Sequence, residues 1–195
     1  MGLEVTLIKD GKLEQIERLL NSRQAKSLQG LKLKLSAVFV LLYRTYFGYV
    51  VLLNKRTQKV KFNKGEICFP GGGMDKSDDS LLATALRETH EEMGIRSVDV
   101  DLLGELDETT TRTGFVIKPF LGTIPYPYEF NPNDDEVEEV LEVPVATLLD
   151  PNNVSEVDWA HSRLYSYKHH QIYGATARIL EQMIRVMEES GWDGA

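Results

Sequence analysis

Glu88, Glu91 and Glu92 fall within five residues of one another, in a stretch from Ser80 to Met93 whose spacing predicts a helix. At about 100° per residue, Leu82, Ala85, Leu86, Thr89 and Met93 gather in an arc of about 100°, and the three glutamates gather in a similar arc on the opposite side. One face is expected to pack on a core and the other to present three carboxylates together. Like charges at i, i+3 and i+4 repel each other, so a free helix gains nothing from the arrangement. A divalent cation would remove the repulsion, and oxygen-only ligands suit Mg²⁺ or Mn²⁺ rather than Zn²⁺. The plain alternative is a solvated acidic face, which many surface helices carry. The flanks tip the balance towards a metal. Gly71, Gly72 and Gly73 precede the helix, where a backbone must turn sharply or approach a ligand closely. Arg87 stands beside the acids and can pair with one of them, and Gly94 is suited to a left-handed helix cap.

A second cluster has the opposite sign. Arg44, Lys55, Arg56, Lys59, Lys61 and Lys64 are the densest basic segment, and it runs directly into the glycines. The chain as a whole has a formal net charge of −8, which argues against non-specific nucleic-acid binding. It leaves room for a polyanionic small molecule, because a metal and a few local cations can reverse the field in one cleft. A solubilising basic loop is the competing reading of these residues.

The elements that must position these groups follow from periodicity and punctuation. Leu13 to Leu20 reads as an amphipathic helix. Leu33 to Tyr43 and Phe47 to Leu53 read as two strands joined by a turn, and Thr57 to Gly65 as an exposed loop. Further strands are expected at Ile67 to Phe69, Val98 to Asp107, Phe115 to Thr123 and Val137 to Val143, with Pro125 to Asp135 a loop. Val145 to Leu149 reads as a short turn or helix, and Ala175 to Glu189 as a C-terminal helix. Strands and helices mix without regular alternation, so a mixed-sheet α+β or α/β sandwich is expected over a doubly wound parallel sheet. The 195 residues, 42% of them hydrophobic, suit one globular domain. No apolar run is long enough to span a bilayer, and Glu4, Asp10, Glu14 and Glu17 make the N-terminus unlike a signal or transit peptide. The lone Cys68 excludes an intrachain disulfide and is in keeping with a reducing, cytoplasmic setting.

Gly73 to Ile95 resembles the Nudix box, G-x5-E-x7-R-E-U-x-E-E-x-G-U with U apolar. Gly73 opens it, and Arg87-Glu88-Thr89-His90-Glu91-Glu92-Met93-Gly94-Ile95 closes it at the family's spacing. Asp79 stands where the family has glutamate, and Thr89 at an apolar position. The resemblance implies an α/β/α sandwich with a mixed sheet and metal-dependent hydrolysis of a nucleoside diphosphate linked to another moiety. It also implies that Glu88 and Glu92 are metal ligands, with Glu91 a further ligand or a base, and that Arg87 orients the glutamates. A metal lowers the pKa of water and neutralises charge on pyrophosphate oxygens, which agrees. Glu136 is expected to approach the site from the loop before the 137–143 strand, as a downstream acid often does in this family; a solvated loop acid is the alternative.

Upstream, Leu52-Leu53-Asn54-Lys55-Arg56-Thr57, then Lys61, Gly65 and Phe69-Pro70-Gly71-Gly72, are similar to the extra motif of the coenzyme A pyrophosphatase subfamily, L-L-T-x-R-(S/A)-x3-R-x3-G-x3-F-P-G-G. Asn54 replaces threonine, Thr57 replaces serine or alanine, and Lys61 replaces arginine, which keeps charge but loses two-pronged geometry. Segments downstream, Thr113-Gly114-Phe115 to Pro119, Asp134-Asp135-Glu136-Val137 and Ile172 to Arg178, also look like that subfamily. The resemblance implies cleavage of coenzyme A or acyl-coenzyme A to 3′,5′-ADP and 4′-phosphopantetheine or its acyl form. Arg56, Lys61, Gly71 and Gly72 are the expected substrate contacts, with Arg56 and Lys61 mattering most for the 3′-phosphate. Another Nudix specificity, such as ADP-ribose or a dinucleotide, is the near alternative, and a nucleotide-sensing module without turnover the remote one. His169-His170 is read as surface, because neighbours on a helix or strand point apart, and Cys68 as a small buried residue.

Overall fold

Strand β1 (Lys34–Thr45) is apolar on both sides, and the two sides join different cores. Val38, Val40 and Leu42 belong to one cluster, and Ala37, Phe39, Leu41 and Tyr43 to the other, as the period of two requires. A strand buried on both faces reads as a continuous apolar run, which is how this segment is written. The computed structural model describes residues 10–28, 30, 33–157 and 162–192. Of the acidic residues near the N-terminus, Asp10, Glu14 and Glu17 are described, and Glu4 lies outside the described residues.

Around β1 the sheet is mixed. β2 (Gly48–Arg56) returns antiparallel from a tight turn, and β3 (Ile67–Cys68) continues outward from it. β4 (Gly71–Gly73) pairs antiparallel with the start of β1. β5 (Asp101–Glu105) and β6 (Thr109–Thr110) pair with β7 (Phe115–Thr123), which runs parallel to β1. β8 (Val137–Pro144) lies against β2. Helices α1 (Gly11–Ser22) and α4 (Gly174–Glu189) cover one face, packing Leu13, Ile16, Leu20, Leu180 and Met183 on the first cluster. Helix α2 (Leu81–Met93) covers the other with Ala85 and Met93. The result is the expected α/β/α sandwich.

The local signals hold at the helix ends. Asp10 accepts from Lys12 and Leu13 N–H, Ser80 accepts from Ala83 N–H, and Gly94 takes the left-handed cap at φ 71°. Three readings change. The segment 98–107 opens with a 3₁₀ turn, Ser97–Asp99, and only Asp101–Glu105 is strand. The glycine triplet is itself a strand, and a Cβ on Gly71 would lie 2.3 Å from the Ala37 carbonyl oxygen. A further antiparallel sheet, β9 (Val154–Val157), β10 (Ser162–Tyr167) and β11 (His170–Ile172), was not expected. Its strands are short and only half apolar, and Leu164, Tyr165 and Ile172 are buried by α4 and the main sheet rather than by a pattern of their own. The described Val145–Leu149 is a one-turn helix, α3.

Candidate active site

The face of α2 turned to the sheet is not the one the wheel centres on. Thr84, Ala85, Thr89, Glu92 and Met93 are buried, while Leu82 and Leu86 are half-buried at the edge of the second cluster. Glu92 is 1% exposed, so the expectation that all three glutamates face away from the core is corrected. On the wheel Glu92 stands only about 20° from Ala85, and β4 with its following loop covers that flank of the helix. Glu92 is held there by three donors. Gly71 N–H and Asn54 Nδ2 each lie 3.1 Å from Oε2, and Arg56 Nη1 lies 3.1 Å from Oε1. Cys68 Sγ, 2.8 Å from Asn54 Oδ1, extends the chain of contacts.

Glu88 packs over the backbone of Gly72, where a Cβ would come 2.4 Å from its carboxyl carbon. Only glycine leaves that space. Arg87 spans the acids: Nη1 lies 2.8 Å from Glu88 Oε1 and 3.0 Å from Glu91 Oε2. Its Nε and Nη2 form a two-pronged pair with Asp78 at 2.9 Å each, and Nη2 also reaches the Gly73 carbonyl oxygen at 3.2 Å. Asp78 was missed from sequence. Asp79, at the family position, is exposed, and its neighbour takes the contact because a turn closed by Asp78 N–H on the Asp75 carbonyl aims Asp78 inward. Thr84 Oγ1 completes the support at 2.9 Å from Asp78.

Glu88, Glu92 and Glu136 border one cleft of about 320 Å³ with Arg56, Gly71, Gly72 and Gly73. Glu136 is brought there by its loop, tied to the end of α2 through Asn131 N–H to Met93 O and Asn133 N–H to Glu92 O. Phe62, Phe69, Phe115 and Ile117 add an apolar part to the lining. Glu91 does not border this cleft; it is half-exposed and turned to Arg87. Lys61 is exposed, its ammonium 5.3 Å from the Phe62 ring centre, and does not line the cleft either. Most of the basic segment is already paired: Lys55 with Glu138 at 2.5 Å, Lys59 with Asp135 at 2.8 Å and Arg44 with Asp10 at 3.5 Å. Cys68, read as buried packing, lines the cleft, and Asn54, read from sequence only as a replacement for threonine, is buried and donates to Glu92, a contact that a buried amide does not announce in sequence.

The electrostatics favour a cation. Burial pushes the Glu92 carboxyl up to about 7, against Arg56 and the Gly71 N–H, with Glu88 and Glu136 adding to the rise. Burial likewise raises Glu88, against Arg87, and Glu91 and Glu136 raise it further. Burial alone would lower Arg56, but the neighbouring Cys68 and Glu92 raise it, so it stays charged. The carboxylates of Glu88, Glu92 and Glu136 outnumber Arg56, the one cation among the described residues that lines the cleft, and their oxygen ligands fit a hard divalent ion such as Mg²⁺ or Mn²⁺.

A mixed sheet between helices, with a glycine strand and a following helix converging on carboxylates, defines the Nudix class of fold. The family model described as the NUDIX domain matches residues 33–167. The chain belongs to the Nudix hydrolase family, enzymes that act on pyrophosphate bonds. It is 35% identical over 139 residues to a protein of Cronobacter sakazakii named uncharacterized Nudix hydrolase NudL, covering 68% of this chain and 72% of that one. A protein of the same name from Photorhabdus laumondii is 31% identical over 144 residues, covering 71% and 77%. Among solved structures, the NUDIX domain of Shewanella oneidensis NrtR complexed with ADP ribose superposes with a TM-score of 0.55 at 20% identity, covering 85% of this chain and 90% of that one. A MutT/nudix family protein from Enterococcus faecalis gives 0.55 at 18% identity, covering 93% and 76%. These structural likenesses speak to the fold alone. Among the described residues, no helix is long and apolar enough to cross a membrane.

Proposed function

We propose that this chain is a metal-dependent diphosphatase that splits coenzyme A or an acyl-coenzyme A into 3′,5′-ADP and 4′-phosphopantetheine or its acyl form. The observation that carries this reading is the meeting of two motifs in one cleft: Arg56, from the segment like that of coenzyme A pyrophosphatases, touches Glu92 of the Nudix box. The cleft also has the mixed polar and apolar lining such a substrate needs. Its lining includes carboxylates and glycine backbone, where a cation and a diphosphate belong, and the apolar Phe62, Phe69, Phe115 and Ile117, suited to the uncharged pantetheine arm.

Glu88 and Glu92 would hold the cation, which supplies positive charge against the diphosphate oxygens and lowers the pKa of water. Glu91, paired with Arg87 beside this set, would serve as a further ligand or as a base. Glu136 borders the same cleft as Glu88 and Glu92 and would take a proton from the attacking water or add a ligand. Arg87, anchored by Asp78, keeps Glu88 and Glu91 in place. Gly71 and Gly72 line the cleft where the diphosphate would lie. Arg56 serves the diphosphate end and Lys61, on the exposed rim, the 3′-phosphate.

Incubation with coenzyme A, 3′-dephospho-coenzyme A, ADP-ribose and NADH, each with Mg²⁺ and with Mn²⁺, tests the reading when the products are identified by mass. Expected are 3′,5′-ADP from coenzyme A and a loss of on the order of 10²-fold in Glu92→Gln. Preferential cleavage of ADP-ribose or NADH would replace the substrate assignment. Absence of turnover with every substrate and either metal would favour a nucleotide-sensing module.

A further inference from the structure

The turn between β10 and β11 brings together two imidazoles that the linear sequence would set apart. Tyr167 pairs with His170, so Lys168 and His169 form a two-residue turn, with Lys168 at φ 54°. Side chains of adjacent residues diverge on an extended strand, but here the backbone reverses between them. The rings of His169 and His170 lie 3.9 Å apart between centres, tilted by 40°. The reading of this pair as divergent surface residues is thus corrected. Glu139, on β8, completes a group whose ligand atoms all lie within 4.8 Å of one another.

We propose that Glu139, His169 and His170 form a second metal site, of the two-imidazole, one-carboxylate kind that takes Zn²⁺, distinct from the acidic cleft. The second observation is the state of His170. Its side chain is 4% exposed, and its Nε2 is buried with no hydrogen-bond partner among the described residues, although Glu139 Oε2 lies only 3.1 Å away. The carboxylate is near enough to bond but not aligned to do so, and a buried polar atom left in that state is costly. A cation between the two atoms accounts for both facts. With Zn–N and Zn–O bonds of about 2.0–2.2 Å at tetrahedral angles, two ligand atoms stand roughly 3.3 Å apart. His169 is exposed and Glu139 half-exposed, so the third ligand can swing in and the fourth position opens to solvent. Imidazole nitrogen selects Zn²⁺ here, while the carboxylate cleft selects harder ions. Occupancy would tie the β10–β11 turn to β8, the strand that begins one residue after Glu136.

The test is calorimetric titration of the chelator-treated full chain with Zn²⁺ in saturating Mg²⁺, which shields the acidic cleft, alongside imidazole NMR. The expected result is one equivalent of Zn²⁺ that shifts the His169 and His170 ring signals. His169→Ala and Glu139→Gln, both at solvent-facing positions, should keep the fold and weaken binding by about a hundredfold or more, beyond the loss from outer-sphere changes. No Zn²⁺ uptake in the presence of Mg²⁺ overturns the proposal. So does uptake with unmoved His169 and His170 signals, or uptake of equal affinity in both variants, which would mean binding elsewhere.

Discussion

The Arg56 guanidinium lies 3.1 Å from Glu92 Oε1, and the two side chains are only 19% and 2% exposed. A cation from the basic segment is therefore built into the acidic cluster. Sequence suggests instead that Arg56 reads a 3′-phosphate, with a selective loss when it is removed. The contact with Glu92 leads to a different expectation. Arg56→Ala should lower kcat/KM for coenzyme A and for 3′-dephospho-coenzyme A alike, by about tenfold to hundredfold, the worth of one charged hydrogen bond. The apparent KM for Mg²⁺ should rise as well, because Arg56 holds the Glu92 pKa down. A loss confined to coenzyme A would show that Arg56 reaches the 3′-phosphate after all.

Metal-free protein should lose stability as pH rises from about 4.5 to about 7. Glu92 has its folded pKa raised from 4.5 to about 7, chiefly by burial. In that window the unfolded chain releases a proton that the folded chain keeps, so the unfolding free energy falls with pH. Below about 4.5 both states are protonated and above about 7 both are ionised, so the change is confined between. Its full extent is on the order of 3 kcal/mol. Chemical denaturation across this range should show the fall with chelator present, and Mg²⁺ should reverse it at the upper end. A flat profile with chelator would mean that Glu92 titrates normally.

Asp78→Asn should lower kcat by about tenfold or more, because Arg87 loses the two-pronged partner that sets it between Glu88 and Glu91. Asp79→Asn, at the position that matches the family motif but exposed here, should be close to neutral. Parallel steady-state kinetics on the two variants decides the matter, and the reverse ranking would return the anchoring role to Asp79.

Gly72→Ala should fold and lose about a hundredfold in activity. Its Cβ would meet the Glu88 carboxylate at 2.4–2.6 Å and push the end of a flexible side chain aside. Displacement of a reacting group's support by about an ångström can cost that much. Melting temperature and kcat together read out the result; full activity would mean that the Glu88 position tolerates the shift.

Thr89→Val should stabilise the fold by about 1 kcal/mol. Thr89 is fully buried in α2 and its hydroxyl oxygen has no hydrogen-bond partner among the described residues. Replacing that hydroxyl by a methyl of similar volume removes a desolvation cost, and the helix propensities of the two residues are nearly equal. Thermal unfolding would show the gain, and a lower melting temperature would point to a partner for Thr89.

Sequence by itself determined the helix 80–93 with its Ser80 and Gly94 ends, the strands at 115–123 and 137–143, and the grouping of Glu88, Glu91, Glu92 and Arg87 with a glycine run. These follow from local rules: side-chain period, capping chemistry and turn residues act over a few positions and leave their mark in order along the chain. Tertiary structure decided the rest. It buried Glu92 beside Ala85, because a second strand covers that flank of the helix. It chose Asp78 over Asp79, because one turn aims one carboxylate at Arg87. It set Arg56 and Asn54 from β2 against an acid 36 and 38 residues away, and left Lys61 exposed and outside the cleft lining. It folded a sheet from 154–172, and in its turn made His169 and His170 converge. Contacts of that kind depend on which elements meet across the sheet, and no spacing within a single segment encodes them.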